Sequence, residues 1–161
     1  MFLKSALALT LVCASVALVV SCRSDSGPSN VDGQERIEVR VGNLIIDAEV
    51  ARTEQERQLG LGGRDQLARH GGMLFTFTED ARHTFWMRGM RFPLDFIWIA
   101  ADGTVAEITA NVPPPGAGTP DSDLQLLQPV VPVRYVLEVN AGVVAAGAVA
   151  VGDAVTFDPQ P

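Results

Sequence analysis

Hydrophobic and polar residues alternate with a period of two from Arg36 onward. From Arg36 onward, Glu38 and Arg40 alternate with three apolar residues, Ile37, Val39 and Val41. This alternation is typical of a half-buried strand. Gly42-Asn43 supplies turn residues, and Leu44 to Val50 returns as a second apolar segment. The pattern therefore predicts a β-hairpin.

A helix start follows the hairpin. Thr53-Glu54-Gln55-Glu56 has the spacing of a capping box, in which the Thr53 hydroxyl accepts from the Glu56 amide and the Glu56 carboxylate accepts from the Thr53 amide. A short helix is predicted. It should end near Leu61-Gly62-Gly63, because glycine readily adopts the left-handed conformation of a helix C-terminus.

The segment from Gly72 to Ile99 is the richest in large apolar residues and should form the core. In the strand predicted over 92–100, one face carries Phe92, Leu94, Phe96 and Trp98. The other face carries Pro93, Asp95, Ile97 and Ile99. Trp98 and Phe96 are therefore expected to be buried.

The rest of the chain continues as short segments separated by turn residues. Ala101-Asp102-Gly103 predicts a turn before a strand at Val105–Ala110. Asn111 to Pro132 is rich in proline. Long loops without secondary structure are uncommon unless they are functional or mobile, so this segment is expected to be a flexible loop at the rim of the domain. Strands at Val133–Val139 and Ala154–Phe157 should flank one or two helical turns within 140–148. Together these elements predict a mostly β domain over 36–158, a compact antiparallel sandwich or barrel with one or two short helices.

The first 21 residues have the pattern of a secretory signal. Lys4 precedes an apolar run from Ala6 to Val20, and Cys22 follows where cleavage is expected. The tetrapeptide Val19-Val20-Ser21-Cys22 resembles the lipobox of bacterial lipoproteins, which implies acylation of Cys22. The run is short for a spanning helix, which needs about 20 apolar residues. An ordinary signal peptide followed by an unrelated cysteine, or an uncleaved anchor, are the alternatives.

Residues 22–35 are expected to be a lipid-anchored tether. They are rich in Ser, Gly, Asp and Pro, and a flexible coil of this length spans roughly 20 Å. The domain would then lie close to a membrane, facing the periplasm or the cell exterior of a bacterial cell envelope.

Charge and cysteine content narrow the function classes. The net charge is −7 and no basic run is present, so nucleic acid is not expected as a partner. The only cysteine besides Cys22 is Cys13, inside the predicted signal. A mature chain would therefore have no internal disulfide. Because lipid would occupy the Cys22 sulfur, a thiol nucleophile and a cysteine-based zinc site are not expected either.

Asp95 is the first candidate site residue, because it lies among apolar neighbours in the predicted strand. A buried carboxylate needs a partner or a polar pocket. Four arginines are possible partners, Arg64, Arg88, Arg91 and Arg134, and the sequence does not select among them. We favour a structural role for Asp95 over a binding or catalytic one.

Glu138 is the second candidate, flanked by Leu137 and Val139 in a predicted strand. It shares a face with Arg134, so an ordinary ion pair is the preferred interpretation.

His83 with the sulfur atoms of Met73, Met87 and Met90 would suit Cu(I). Methionine is, however, a common core residue among aromatic rings, so packing is preferred and no metal or cofactor is expected. No nucleophile elbow or phosphate-binding loop is present.

Several segments of the chain resemble the DUF192 (UPF0127) family, and their order and spacing also fit. They are Gln58–Leu61 (QLGL), Gly72–Phe77 (GMLFTF), His83–Phe96 (HTFWMRGMRFPLDF) and Val136–Gly142 (VLEVNAG). The resemblance covers about Arg36 to Asp158 and implies a compact, mostly antiparallel β structure with short helices. It implies no established activity and brings no catalytic residue to this chain. The Pro-rich segment and Gly62-Gly63 depart from the family pattern.

Two functions are consistent with these observations. The preferred one is a noncatalytic envelope module that binds a ligand or protein partner, since clefts commonly combine aromatic residues with a few polar groups. Its candidate binding residues are Trp86, Arg88, Asp95 and Glu138. The alternative is a hydrolase or lyase acting on an envelope glycan or peptide, with Asp95 and Glu138 as acid and base. The alternative requires the two carboxylates to converge in one cleft.

Overall fold

The domain begins with two strands joined at Gly42-Asn43, as the alternation predicts. The computed structural model describes residues 34–158 and 160–161. Strand β1 (Arg36–Val41) pairs antiparallel with β2 (Leu44–Ala51), with Val39 opposite Ile46. The predicted signal, Cys22 and most of the tether lie outside the described residues.

Helix α1 (Glu54–Leu59) follows β2 and has the predicted capping box, with both reciprocal bonds between Thr53 and Glu56 present. The helix ends earlier than predicted. Gly60, at φ 51°, terminates it, and its amide donates to the Glu56 carbonyl at 2.9 Å. The first glycine after the helix therefore ends it, before Gly62-Gly63 is reached.

The remaining elements confirm a mostly β fold. They are β3 (Gly71–Ala81), β4 (Phe85–Trp86), β5 (Leu94–Ile99), β6 (Val105–Val112), β7 (Leu126–Leu127), β8 (Val133–Asn140), α2 (Val143–Ala146) and β9 (Val155–Asp158). Seven strands form one sheet in the order β6-β5-β8-β3-β2-β1-β9, and β4 pairs with β7. The neighbouring strands pair antiparallel except β2 and β3, which run parallel because α1 lies in the crossover between them.

The seven-stranded sheet curls into a half-barrel around one of two hydrophobic cores. An isolated bridge between Thr104 and Ala154 links the two edges of the sheet at one end. Tyr135 on β8 also contacts Phe157 on β9, with 5.0 Å between the ring centroids, although these strands are not neighbours in the sheet. The first core therefore lies inside the curl and includes Ile46, Leu74, Ile97, Ile99 and Leu137.

The second core covers the opposite face of the sheet. It includes Met73, Phe75, Phe96 and Trp98, with Met87 and Leu127. Alternate residues of β5 enter different cores, and all six of its residues are buried. The predicted burial of Phe96 and Trp98 is confirmed, since neither side chain is exposed.

The Pro-rich segment has more structure than predicted. Strand β6 extends to Val112, a 3₁₀ turn spans Asp121–Asp123, and β7 pairs with β4. Side chains fasten the end of the segment: Gln128 donates to the Thr84 hydroxyl at 2.7 Å, and Arg82 donates to the Pro129 carbonyl at 2.8 Å. These bonds hold the segment against the second core, so the prediction of a long loop without structure is wrong. No helix within residues 34–158 is long and apolar enough to cross a membrane.

Candidate functional site

An open cavity of about 390 Å³ lies between α1 and the second core. Its walls come from α1 and the loop after it, from β3, and from the segment around β4, and Glu138 of β8 also contributes to the lining. The polar and aromatic lining residues include Glu54, Arg57, Phe75, Phe77, His83, Phe85, Trp86, Arg88 and Glu138. The cavity thus combines aromatic rings with a small number of charged groups.

Phe85, at the start of β4, organises the aromatic wall. Its ring meets Phe75 edge to face, with 5.0 Å between centroids, and lies 5.9 Å from Phe96 and 5.5 Å from Trp98. The Trp98 indole nitrogen donates to the Thr109 hydroxyl at 2.9 Å. Phe96 and Trp98 are core residues and do not line the cavity, so their contacts support the Phe85 ring from the second core.

Glu138 is the buried polar group of the cavity, with 5% of the residue exposed. In the sheet it lies opposite Met73 on one side and Phe96 on the other, neither of which offers a hydrogen-bond donor from its side chain. Within the described residues, its carboxylate takes part in no side-chain hydrogen bond or salt bridge. Burial raises the pKa of Glu138 to about 8, because removal from water disfavours the charged carboxylate.

The cavity arginines are occupied by other groups. The Arg57 guanidinium lies 5.1 Å from the Phe77 ring centroid and donates to the Glu54 carboxylate at 3.1 Å and to the Thr76 carbonyl at 3.2 Å. It also donates to the Arg52 carbonyl. These contacts hold Arg57 across the cavity wall.

Arg88 is held in a similar way on the other side. Its guanidinium lies 5.3 Å from the Trp86 ring centroid and 3.6 Å from the Asp121 carboxylate. Trp86 is 43% exposed, so its ring is accessible at the cavity. A 3₁₀ turn of the Pro-rich segment therefore anchors a residue of the cavity.

His83 stacks on Phe77, with 3.5 Å between ring centroids and an interplanar angle of 11°. Desolvation by burial is the main cause that lowers the pKa of His83, so the neutral imidazole is favoured at neutral pH. Met73, Met87 and Met90 are buried in the second core. These positions fit the packing interpretation of the methionines, and residues 34–158 contain no cluster of three or more His, Asp or Glu side chains suited to a metal.

Asp95 lies outside the cavity, on the first-core face of β5. Its carboxylate accepts from the Asn111 amide at 2.8 Å and from the Val144 amide at 3.0 Å. None of the four arginines considered as partners binds Asp95, because each pairs with another acidic residue: Arg64 with Glu49, Arg88 with Asp121, Arg91 with Asp65 and Arg134 with Asp80. Backbone amides of a bulge and of a short helix satisfy Asp95 instead.

The two candidate carboxylates do not converge. Asp95 lies opposite Val139, on the first-core face of the sheet, whereas Glu138 lies opposite Phe96, on the second-core face. The sheet separates them, so the proposed acid and base pair has no geometric support. The predicted ion pair of Glu138 is also wrong, since Arg134 binds Asp80 at 2.6 Å.

Three of the candidate binding residues, Trp86, Arg88 and Glu138, line one cavity, and Asp95 does not. Sequence reasoning missed Arg57 and Phe77 as lining residues. The capping box correctly predicted where α1 begins. Glu54 and Arg57 are three residues apart, a spacing that places them on one side of a helix and is consistent with the hydrogen bond between them. Nothing in the sequence indicated that α1 would cover β3, because this contact depends on the parallel crossover.

Comparison with known proteins agrees with this fold. The DUF192 family model, described as "Uncharacterized ACR", matches residues 36–157. A crystal structure from Sinorhizobium meliloti 1021, described as a proposed transcription regulator, is 32% identical with a TM-score of 0.70, covering 79% of this chain and 97% of that one.

A second crystal structure, of a protein of unknown function from Novosphingobium aromaticivorans DSM 12444, is equally similar. It is 32% identical with a TM-score of 0.70, covering 80% of this chain and 89% of that one. No curated protein matches the chain. The similarities therefore concern the fold and the family.

Proposed function

The chain belongs to the DUF192 family, and from this premise we propose that it is a lipid-anchored envelope protein whose β domain binds a small ligand without transforming it. The observation that carries the proposal is the cavity that brings together Trp86, Arg88 and Glu138. Its volume of about 390 Å³ falls within the range of small-molecule sites, which are commonly concave, aromatic and equipped with few polar groups.

The charged groups favour binding over catalysis. Paired carboxylates are the usual basis of acid and base chemistry on glycans, and Asp95 lies across the sheet from Glu138. Glu54 is the other carboxylate of the cavity lining, but its side chain is 73% exposed and is bound by Arg57 and Gln58. Among residues 34–158, the cavity therefore has no second buried carboxylate that could act as the partner of Glu138 in acid and base catalysis.

The anchor rests on the sequence alone. The apolar run and Val19-Val20-Ser21-Cys22 support acylation of Cys22. Membrane association through a single acyl chain is weak, whereas two or more chains anchor a protein stably. A lipidated N-terminus and a tether would hold the cavity near the membrane, where envelope ligands or protein partners are met.

A role on nucleic acid is not proposed. The Sinorhizobium chain is described as a proposed transcription regulator, but this chain carries a net charge of −7. Affinity for a phosphate backbone depends on lysines and arginines that neutralise it. A chain of this charge has no net attraction for that backbone.

A fragment screen followed by NMR tests ligand binding. Trp98→Phe leaves Trp86 as the only tryptophan, so its fluorescence and indole resonance report on the cavity. Fragments that bind should shift the Trp86 indole signal, and Trp86→Ala should weaken their binding by about tenfold or more. The control is Ile45→Ala, at a position that is 44% exposed and lies outside the cavity, and it should not change the affinity for these fragments. The proposal fails if no fragment shifts cavity resonances, or if Trp86→Ala and Ile45→Ala bind equally well.

A further inference from the structure

We infer that the ligand of this cavity carries a protonated amine on a compact apolar body, with the ammonium group against the Glu138 carboxylate. The inference rests on the proposed function and adds the chemical class of the ligand. Three observations carry it: an unpartnered carboxylate, arginines that are already occupied, and an aromatic wall.

The carboxylate of Glu138 lacks what a buried carboxylate requires. It is 5% exposed and contributes to the cavity lining, and residues 34–158 provide it with neither a side-chain hydrogen bond nor a salt bridge. A buried charge is strongly disfavoured unless it is paired and hydrogen-bonded. An ammonium group supplies both a positive charge and N–H donors, and the cavity that Glu138 lines gives it access to the carboxylate.

The other charged groups of the lining already have partners. Arg57 bonds to Glu54, and Arg88 lies beside Asp121. An anionic ligand would have to compete with these carboxylates for the guanidinium groups. Within residues 34–158 a cationic ligand competes with no side chain for Glu138 and displaces only the carboxyl proton, so the arrangement favours a cation.

The aromatic wall suits the same ligand. Phe75, Phe85 and Trp86 offer apolar surface for the body of the molecule, and aromatic faces attract cations. Phe77 and Trp86 already hold guanidinium groups at 5.1 and 5.3 Å from their centroids. The net charge of −7 also raises the local concentration of cations around the molecule.

Binding should release a proton from the cavity. Burial raises the pKa of Glu138 to about 8, so at pH 7 the empty cavity holds mostly the neutral carboxyl. When the ammonium group binds, the carboxyl loses its proton to the buffer and the ion pair forms. The other titratable groups around the cavity are Glu54 and Arg57 on α1, His83 before β4 and Arg88 after it.

Titration calorimetry with three probes of one shape tests the inference. Phenethylamine, 2-phenylethanol and 3-phenylpropionate share an aromatic body and differ in charge. At pH 7 phenethylamine should bind at least about tenfold more tightly than the alcohol, a difference of about 1.4 kcal/mol. Its apparent enthalpy should vary with the ionisation enthalpy of the buffer, as release of a proton requires.

Glu138→Gln keeps the shape of the side chain and removes its charge. This variant should bind amine and alcohol equally and show no buffer-dependent enthalpy. Glu38→Gln on β1, outside the cavity, is the control and should retain the preference of the parent. A thermal melt of each variant establishes that it is folded before it is titrated.

The inference is overturned if the alcohol or the carboxylate binds as well as the amine, or if Glu138→Gln keeps the preference. It is also overturned if none of the three probes binds. Should other fragments still bind in a Trp86-dependent manner, the proposed function stands and only the ligand class is wrong. If no fragment binds in the screen either, both the proposed function and the inferred ligand class are wrong.

Discussion

Asp95 and Glu138 are both buried carboxylates, yet their surroundings give them opposite roles. Asp95 accepts hydrogen bonds from the backbone amides of Asn111 and Val144 and so links β5 to the end of β6 and to α2. Glu138 receives no such bond within residues 34–158. Backbone amides that bind a buried carboxylate stabilise the fold. A buried carboxyl without such partners is held mostly neutral at pH 7 and is available to a ligand.

The first prediction concerns Glu138 and pH. Its folded-state pKa of about 8 exceeds the ordinary value of 4.5, so between these values the folded protein holds a proton that the unfolded chain has released. The free energy of unfolding should therefore fall as pH rises through this window, by about 1.4 kcal/mol for each pH unit from this group. Glu138→Gln should lose this dependence, and urea unfolding between pH 5 and 8.5 measures it.

The matched control is Glu38→Gln, which removes a carboxylate from β1 that pairs with Arg40 at the surface. Its unfolding free energy should follow pH in parallel with that of the parent. Parallel curves for the parent and Glu138→Gln would contradict the prediction and show that Glu138 is ionised in the folded protein at neutral pH.

The second prediction concerns Asp95. Asparagine keeps one acceptor oxygen but turns an amide group toward the second backbone N–H, so one buried donor loses its partner. Asp95→Asn should destabilise the domain by about 1–3 kcal/mol and leave ligand binding unchanged. Denaturant unfolding measures the loss. Asp65→Asn, which removes an exposed partner of Arg91, should change stability by less than about 1 kcal/mol, and an equal effect of both variants would refute the role of Asp95.

Periodicity predicts which face of a strand a residue occupies, but not which groups its side chain contacts on that face. The alternation in β5 correctly separated Asp95 from Phe96 and Trp98, and it indicated that Asp95 would be buried. It could not identify Asn111 as a partner, since that bond depends on an irregularity where β5 pairs with β6. Asn111 has φ 56°, and its amide turns toward Asp95 at this bulge.

At the scale of elements, three local signals predicted their elements correctly, whereas nothing in the sequence indicated the order of the strands in the sheet. The hairpin of β1 and β2, the hairpin of β5 and β6 and the capping box of α1 all depend on residues close together in the chain. The position of β8 between β3 and β5 depends on contacts far apart in sequence. That position places Glu138 beside Met73 and Phe96, so the cavity could not be predicted without it.

The third prediction tests the close contact between β3 and β8. A Cβ on Gly72 would lie 2.7 Å from Ile46 Cγ2 and 2.9 Å from the backbone oxygen of Glu138. Because both neighbours are in packed strands, Gly72→Ala should destabilise the domain by about 1–3 kcal/mol. Thermal unfolding measures it.

Gly116→Ala in the Pro-rich segment is the control for Gly72→Ala. A Cβ there would have its nearest neighbour, the Thr119 hydroxyl, at 3.5 Å, which is an ordinary contact. The control should change stability by less than about 0.5 kcal/mol. An equally small change in stability for Gly72→Ala would contradict the prediction. It would mean that β3 and β8 do not approach as closely as described at Gly72, and that the pairing register at Glu138 is incorrect.

At the scale of the whole molecule, our proposal gives the domain and the N-terminal segment different tasks. The domain of residues 36–157 carries the family fold and the cavity. The preceding residues would decide where that cavity is held. A tether of roughly 20 Å would leave the domain free to turn while restricting it to ligands near the membrane.

The last prediction is that Cys22 carries this attachment. Cys22→Ser removes the thiol that would be acylated, so the protein should move from the membrane fraction to the soluble fraction. Cys13→Ser, at the only other cysteine, lies within the predicted signal and should leave the distribution unchanged. Mass spectrometry of the N-terminal peptide supplies the second measurement, since a lipid on Cys22 adds a mass that an ordinary signal peptide or an uncleaved anchor does not. Membrane association that persists in Cys22→Ser, with no lipid on the parent peptide, would favour the uncleaved anchor, and the cavity would then be held by a spanning segment rather than by lipid.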